Sequence, residues 1–282
     1  MLRKRILPAF VALCMVIALL PVSAFAVDSE TLQEQIDRAE GSATIQLTEN
    51  TTESITIPDG KTITLDLNGK TLTNEAGKHT ITVEQGGTLT VQGNGTVDNV
   101  SHARAALYNN GTATLNGGKY TRSKENGKNE EDNGGNSYYN ILNHGRMTIN
   151  SGVTVSQSGQ YSSMIANGYY NYSGTDNPLS SYIEGTNDPA PTLTINNGTF
   201  TGGLNTIKND DGGNLTINAG TFKNVKQQAV FNVHVATING GVFQSTSNVL
   251  YNRYFAGGQD EGKAISASQM FKGFIFGKNL LE

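Results

Sequence analysis

A short phrase recurs six times along the chain, and it restricts the possible folds more than any other feature of the sequence. In each copy an apolar residue, a threonine and a second apolar residue are followed by Asn or Gln and a glycine-containing turn. The copies occupy residues 89–97, 113–120, 147–155, 193–200, 215–222 and 236–243. The second apolar residue, from Val91 to Ile238, recurs at intervals of 24, 34, 46, 22 and 21 residues. Self-similarity at a period of about 20 to 30 residues is typical of a solenoid.

A second phrase, an apolar segment that ends in Asn, lies between copies of the first. It occupies residues 106–109, 141–143, 164–167, 206–209, 229–232 and 249–252. In three turns its Asn precedes the next apolar anchor by six residues, as from Asn109 to Leu115. Each repeat therefore holds three short strands. We predict an all-β protein, a right-handed single-stranded parallel β-helix with three sheets and about 22 residues per coil.

The residue types suit side chains that stack on like side chains in successive coils. Because side chains alternate across a strand, the apolar residues of the first phrase should point inward and its threonines outward. Glycines follow these strands, where the turn needs a positive φ. Tyr120, Phe200, Phe222 and Phe243 are expected to form an internal aromatic column.

The first 26 residues have the three-part layout of a secretory signal peptide. A basic segment at residues 3–5 precedes an apolar run at 6–22, and Ala24 and Ala26 form a small-residue cleavage pattern. The alternative is a retained membrane anchor, because the run approaches the roughly 18 residues that span a bilayer. Two prolines and the cleavage pattern favour the signal peptide. We expect a secreted or cell-surface protein with no membrane span after cleavage.

These patterns divide the chain into four predicted segments. They are a signal peptide at 1–26, an N-terminal capping helix at 27–42, the parallel β-helix at 43–257 and a C-terminal tail or cap at 258–282. Leu32, Ile36 and Ala39 mark one face of the helix, which is expected to end at Gly41. A solenoid exposes an apolar end unless another element covers it, so the helix is assigned to capping.

Charge and cysteine content exclude several classes of function. The chain has 20 Lys and Arg against 24 Asp and Glu, and loss of the three basic residues in the leader gives a net charge of −7. Nucleic acids and anionic membranes need clustered basic residues, so neither is an expected partner. The one cysteine, Cys14, lies in the leader. The exported chain therefore has no disulfides and no thiolate metal site.

The stretch ITLDLNGKTL at residues 63–72, followed by the repeated coils, resembles bacterial cell-surface proteins of the pectate-lyase-like right-handed β-helix superfamily. The resemblance covers nearly all of residues 43–257. It implies three parallel sheets and a helical N-terminal cap, but the superfamily includes lyases, hydrolases, adhesins and phage tailspikes. Related surface proteins often carry anchoring modules. Since the sequence shows none, either the chain is a truncated form of a longer protein or the apolar patch at 270–276 covers the last coil.

Two enlarged repeats carry insertions, at about residues 122–137 and 171–191, and both border the same predicted sheet. Loops on a rigid scaffold often carry function. Six residues are expected to form one outward column on that sheet: Tyr108, Leu142, Ala166, Lys208, Phe231 and Tyr251. Four tyrosines lie in the neighbouring loop: Tyr169, Tyr170, Tyr172 and Tyr182.

These rings predict a surface that binds glycans or a cell-surface polysaccharide. Flat aromatic faces stack on the C–H faces of sugars, while nearby polar groups bind hydroxyls. The alternative is that the insertions fold down and bury the rings as a satellite cluster. The predicted ligand-binding residues are Tyr108, Tyr169, Tyr170, Tyr172, Tyr182, Phe231 and Tyr251.

Catalysis is a second hypothesis, as a polysaccharide lyase or a polygalacturonase-like hydrolase acting on acidic polysaccharide. Such enzymes need clustered carboxylates or a basic residue near the substrate. The candidate residues are Asp210, Asp211, Lys208 and His144. Adjacent aspartates on an extended strand point to opposite faces, and a polar turn explains the same residues.

Other sites have less support in the sequence. Glu130, Glu131 and Asp132 could bind Ca²⁺, the one candidate cofactor, although such a run is more often only solvated. The four histidines share no repeat register, which argues against a zinc site. The outward threonines could bind ice, but the next outward residue is Asn or Gln and the coil spacing is interrupted. We expect an adhesin-like surface protein, with an enzyme and a purely structural module of a larger assembly as the alternatives.

Overall fold

The computed structural model describes residues 30–128, 137–169, 190–210 and 212–252. Over these ranges the chain forms a right-handed parallel β-helix of about 24 residues per turn. Its 24 strands form three parallel sheets of eight strands each, so that eight turns are stacked along one axis. The predicted signal peptide, the segment 258–282 and the last five residues of the predicted β-helix lie outside the described residues.

One helix precedes the strands, α1 at Leu32–Arg38. Sheet 1 contains β1 (Ser42–Gln46), β4 (Thr62–Asp66), β7 (Thr88–Gln92), β10 (Thr112–Leu115), β13 (Arg146–Ile149), β16 (Thr192–Ile195), β19 (Asn214–Ile217) and β22 (Val235–Ile238). Sheet 2 contains β2 (Thr51–Thr52), β5 (Thr71–Thr73), β8 (Thr96–Asp98), β11 (Lys119–Thr121), β14 (Thr154–Gln157), β17 (Thr199–Gly202), β20 (Thr221–Lys223) and β23 (Val242–Gln244). Sheet 3 contains β3 (Ile55–Ile57), β6 (Ile81–Val83), β9 (Leu107–Asn109), β12 (Ile141–Asn143), β15 (Ile165–Asn167), β18 (Ile207–Asn209), β21 (Val230–Asn232) and β24 (Leu250–Asn252).

Strand register confirms that like residues lie over one another. Ile195 pairs with Ile217, which pairs with Ile238, although the intervening turns differ in length. The two enlarged repeats keep the same register, since Leu115 pairs with Ile149 and Ile149 with Ile195. The inward residues of sheet 1 are almost completely buried. The insertions therefore leave the stacked core unbroken.

The internal aromatic column is shorter than the sequence predicts. Phe200, Phe222 and Phe243 stack with ring centroids 4.8 and 4.7 Å apart and nearly parallel planes. Tyr120 is buried on the same inner face, but Val155 pairs with both Tyr120 and Phe200 and separates them. The column is therefore three rings, and the prediction of four stacked rings is wrong at Tyr120.

Helix α1 covers the first turn of the β-helix. Its polar side chains bond to the edge of β3, which has no preceding strand in sheet 3 among the described residues. Its Leu32 and Ile36 are buried against the core. The side-chain amide of Gln33 donates through Nε2 to Thr56 O at 3.1 Å, and its Oε1 accepts from Thr56 N at 2.7 Å. These two bonds satisfy the open edge of β3. Glu53 accepts hydrogen bonds from the first amide groups of the helix. An unpaired edge strand is a template for association with another chain, and Gln33 closes this one.

A buried asparagine ladder runs along the corner between sheets 3 and 1. Each Nδ2 donates to Oδ1 of the asparagine in the next turn at 2.7 Å. The members are Asn109, Asn143, Asn167, Asn209 and Asn232, all almost completely buried. Each Nδ2 also donates to backbone carbonyls at the corner, such as Gly213 O and Val235 O for Asn209. The ladder thus satisfies polar groups that burial would otherwise leave unpaired.

We predict that Asn209→Ala lowers the free energy of unfolding by about 2–4 kcal/mol, because it removes the acceptor of Asn167 Nδ2 and the donor to the buried Oδ1 of Asn232. The matched control is Asn218→Ala. Asn218 belongs to a second ladder with 2.8 Å bonds to Asn196 and Asn239, but that ladder is exposed to water. Its loss should change the free energy by less than about 1 kcal/mol. Chemical denaturation measures both; equal losses would contradict this account of the buried ladder.

Candidate aromatic surface on sheet 3

The outward residues of sheet 3 form a single column, as the sequence predicts. Tyr108 pairs with Leu142, and Leu142 with Ala166. Below them Ala166 pairs with Lys208, Lys208 with Phe231, and Phe231 with Tyr251. At about 4.8 Å per strand, the five steps from Tyr108 to Tyr251 span about 24 Å. The column is long enough to contact an extended polymer at several points.

Part of this column is covered by the end of the first insertion. Leu142 is 7% exposed and Ala166 1% exposed, and both belong to a small apolar cluster that includes Tyr138 and Tyr139. The rings of Tyr138 and Tyr139 lie 5.1 Å apart at their centroids. Tyr138 and Tyr139 therefore pack onto the sheet at this point. Leu142 and Ala166 support the surface from below.

Four rings form a ladder beside this cluster. His79 and Tyr108 have centroids 4.9 Å apart, and Tyr108 meets His144 edge to face at 5.4 Å. His144 then stacks on Tyr169 at 4.2 Å with an interplanar angle of 20°. All four side chains are only partly buried. The result is a row of rings, from four successive turns of the helix, with solvent-accessible parts.

The ladder includes two histidines that sequence reasoning did not assign to it. His79 precedes β6 and His144 follows β12, so they come from turns at opposite ends of sheet 3 strands. Turn residues do not share the register of the strands, and the repeat therefore gave no signal for their proximity. The hydroxyl of Tyr108 and Nδ1 of His144 are 3.3 Å apart, which links the column to the turn.

Both histidines of the ladder are held in the neutral form. Burial, followed by the positive charge of Arg104, lowers the pKa of His79 to about 4. Burial lowers the pKa of His144 to about 4 as well. The backbone N–H of Ala105 donates to Nδ1 of His79 at 2.8 Å, which fixes that nitrogen as an acceptor. At neutral pH the ladder is therefore uncharged.

Arg122 fixes the covering segment in place. Its side chain is fully buried and donates to Arg104 O at 2.8 Å and to Ser101 O at 2.6 Å. It also donates to Glu125 Oε2 at 2.9 Å and to Tyr138 O at 3.3 Å. One guanidinium thus joins the start of the insertion, its end and the preceding turn. Tyr138 is held over sheet 3 by this buried ion pair rather than by strand pairing.

The lower part of the column combines rings with an ion pair. Phe231 and Tyr251 stack with centroids 5.5 Å apart, and Tyr251 is 39% exposed. Lys208 lies between these rings and the ladder and forms a 2.7 Å ion pair with Asp210. Lys208 and Asp210 neutralise each other, so this part of the surface carries no net charge from the pair.

The proposed catalytic residues are not brought into one cluster. Asp210 is paired with Lys208 and its side chain is 2% exposed. His144 follows Asn143 and Asp210 follows Asn209, and those asparagines are two strands apart, at about 10 Å. Among the described residues, no group of three or more His, Cys, Asp or Glu could hold a metal ion. Seven of the predicted site residues lie outside the described ranges: Glu130, Glu131, Asp132, Tyr170, Tyr172, Tyr182 and Asp211.

We predict that stability falls as the pH is lowered from about 6.5 to about 4. The unfolded histidines bind protons below their ordinary pKa of 6.5, whereas the folded ladder resists protonation until about pH 4, so acid favours unfolding. His144→Phe keeps a ring on Tyr169 but removes one titrating group. It should reduce the proton uptake on unfolding near pH 5 by up to about one proton.

The control for this prediction is His102→Gln, since His102 is exposed and its pKa is lowered less than that of His144. Denaturation curves measured at several pH values should show a shallower pH dependence for His144→Phe and a smaller change for His102→Gln. If the His144→Phe curve runs parallel to that of the unsubstituted protein, His144 is not the group that titrates.

Comparisons with known proteins identify no relative. The chain matches no protein-family model, and no curated protein or solved structure matches it. No helix among the described residues is long and apolar enough to cross a membrane.

Proposed function

We propose that this protein is an exported, adhesin-like β-helix of the pectate-lyase-like superfamily from a bacterial cell surface, and that it binds an extended glycan along sheet 3. The observation that supports the proposal is the band of partly exposed rings on that face. It runs from His79 and Tyr108 through Tyr169 to Phe231 and Tyr251. Below we call it the aromatic band.

The chemistry of the aromatic band suits a sugar. Rings offer large apolar area with few rotatable bonds, so they lose little conformational entropy when they bind. The two histidines are neutral at neutral pH, and Lys208 is paired with Asp210, so the band carries little net charge. A neutral glycan can therefore dock without the loss of charge hydration that an unpaired ion would cause.

The length of the band favours a polymer over a monosaccharide. Its rings are distributed over about 24 Å along the helix axis, and a single sugar can reach only one or two of them. An oligosaccharide that contacts successive rings joins several weak contacts in one ligand. Each further contact is then made at high effective concentration. Affinity should rise with chain length until the ligand spans the band.

The rigid packing beneath the aromatic band also favours glycan binding. Leu142 and Ala166 are buried beneath the cluster, and the fully buried Arg122 side chain donates a hydrogen bond to Tyr138 O. The rings are therefore positioned before a ligand arrives. A preorganised surface loses less free energy to ordering when it binds.

We predict that Tyr251→Ala and Tyr169→Ala each weaken glycan binding by about tenfold, which corresponds to about 1.4 kcal/mol per ring. The matched control is Val242→Ala, because Val242 is as exposed as Tyr251, at 39%, but lies on sheet 2. A glycan array would identify the ligand, and titration calorimetry with oligosaccharides of increasing length would measure the affinities.

Three outcomes decide the proposal. Selective loss of affinity in the two tyrosine variants supports it. Equal affinity in all variants, with unchanged melting temperatures, removes the aromatic band from the binding site. Release of reducing or unsaturated ends from an acidic polysaccharide, abolished by Asp210→Asn, would replace the binding proposal with the enzymatic alternative.

A further inference from the structure

Sheet 1 carries a second ordered surface, on a different sheet from the rings of sheet 3. On its first four strands, two outward positions of each strand are occupied by threonine or serine. Register places these residues in two straight files, four turns long. The first file is Ser42, Thr62, Thr88 and Thr112, and the second is Thr44, Thr64, Thr90 and Thr114. We call these eight residues the threonine patch.

The hydroxyls of the threonine patch face solvent. All eight side chains are exposed or partly exposed. Within the part of the chain that the structure describes, none of these hydroxyls forms a hydrogen bond to another protein group.

The patch is also rigid and regular. Strand geometry separates neighbours in a file by about 4.8 Å and the two files by about 6.7 Å, which is two residues along the strand. The inward residues beneath it are buried apolar side chains such as Leu65, Leu89 and Leu115. Strand register thereby holds eight hydroxyls and eight β-carbon positions in two parallel files.

Preference of threonine for strands does not by itself explain the patch. The outer face of sheet 2 also consists of short strands, and there Lys119, Lys223 and Asp98 interrupt the threonines. The threonine patch itself contains no charged residue, while the next outward position of the same strands is occupied by Gln46, Asp66 and Gln92. Surface charge normally helps an exported protein to remain soluble, so its exclusion from both files requires a separate reason.

The second file, which begins at Thr44, extends through the enlarged repeats. Thr114 pairs with Thr148, and the file continues through Thr194 and Thr216 to Thr237. The insertions therefore do not interrupt the spacing, contrary to the expectation from the sequence. The file that begins at Ser42 is interrupted by Arg146, which pairs with Thr112 and Thr192, and after Thr192 it continues through Asn214 and Val235. The uncharged two-file array is confined to the first four turns.

We propose that the threonine patch binds ice. Oxygen atoms on a prism face of ice form a rectangular mesh of similar dimensions to this array. Threonine supplies a hydroxyl that can occupy a lattice position and a methyl group that orders the water beside it. Charged side chains would retain their own hydration shells, and their absence matches a ligand made of ordered water. An exposed face of regularly spaced side chains suits a solid surface, since small molecules are more often bound in clefts.

The experiment compares three proteins in an ice-recrystallisation assay and by thermal hysteresis. The unsubstituted protein should slow recrystallisation. Thr64→Lys combined with Thr90→Lys should lower that activity by at least tenfold, because two adjacent lattice positions receive charge. The matched control is Thr199→Lys combined with Thr221→Lys on sheet 2. It adds the same charge on a strand face where Lys119 already occupies the equivalent register position.

Melting curves of all three proteins test whether the substitutions leave the fold intact. Loss of activity in the sheet 1 variant, with the control still active, supports the proposal. No effect of the unsubstituted protein on ice, or equal activity in both variants, overturns it. Retention of the unsubstituted protein on an insoluble crystalline polysaccharide, lost in the sheet 1 variant while ice is unaffected, would also overturn it. These results are independent of the glycan array, which reads sheet 3.

Discussion

The structure depends on backbone hydrogen bonds between successive parallel turns, because each strand of two to five residues is too short to be stable alone. Each turn contributes one strand to each of three sheets, and each strand pairs with the turns above and below. Stacking then brings like residues into contact. The apolar columns fill the interior, and the buried asparagine ladder satisfies the corner where the strands end. A repeat is stabilised by its neighbours rather than by itself.

This arrangement explains how the chain tolerates long insertions. The step from Ile149 to Ile195 is about twice the length of the step to Ile217, yet both pairs keep the same register. Doubling the length of a flexible loop costs only about 0.6 kcal/mol in closure entropy. Slipping the register by one residue would instead turn every apolar side chain of the strand toward water. The insertions therefore accumulate at the turns beside sheet 3 and leave the columns intact.

The sequence predicts the columns well because each is defined by a local pattern repeated at matched positions. Register, the inward Leu and Ile residues and the outward column of sheet 3 all follow from that pattern. Contacts made by the turns do not follow from the repeated pattern. The approach of His79 to Tyr108, and the cover that Tyr138 provides over Leu142, depend on how nonrepeating segments fold back. Val155 interrupts the aromatic column for a simpler reason, since one repeat has a smaller residue at that position.

Arg122 shows why the nonrepeating part of the surface is nonetheless ordered. A fully buried guanidinium is costly unless its donors are satisfied, and here carbonyls from two turns and the Glu125 carboxylate accept them. Removing any one partner would leave charge or donors unpaired in the interior, so the arrangement resists partial opening. The segment that carries Tyr138 is therefore constrained by polar groups where it lacks strand pairing. Stacked turns supply a flat, regular scaffold, and one buried cation adds an irregular aromatic surface to it.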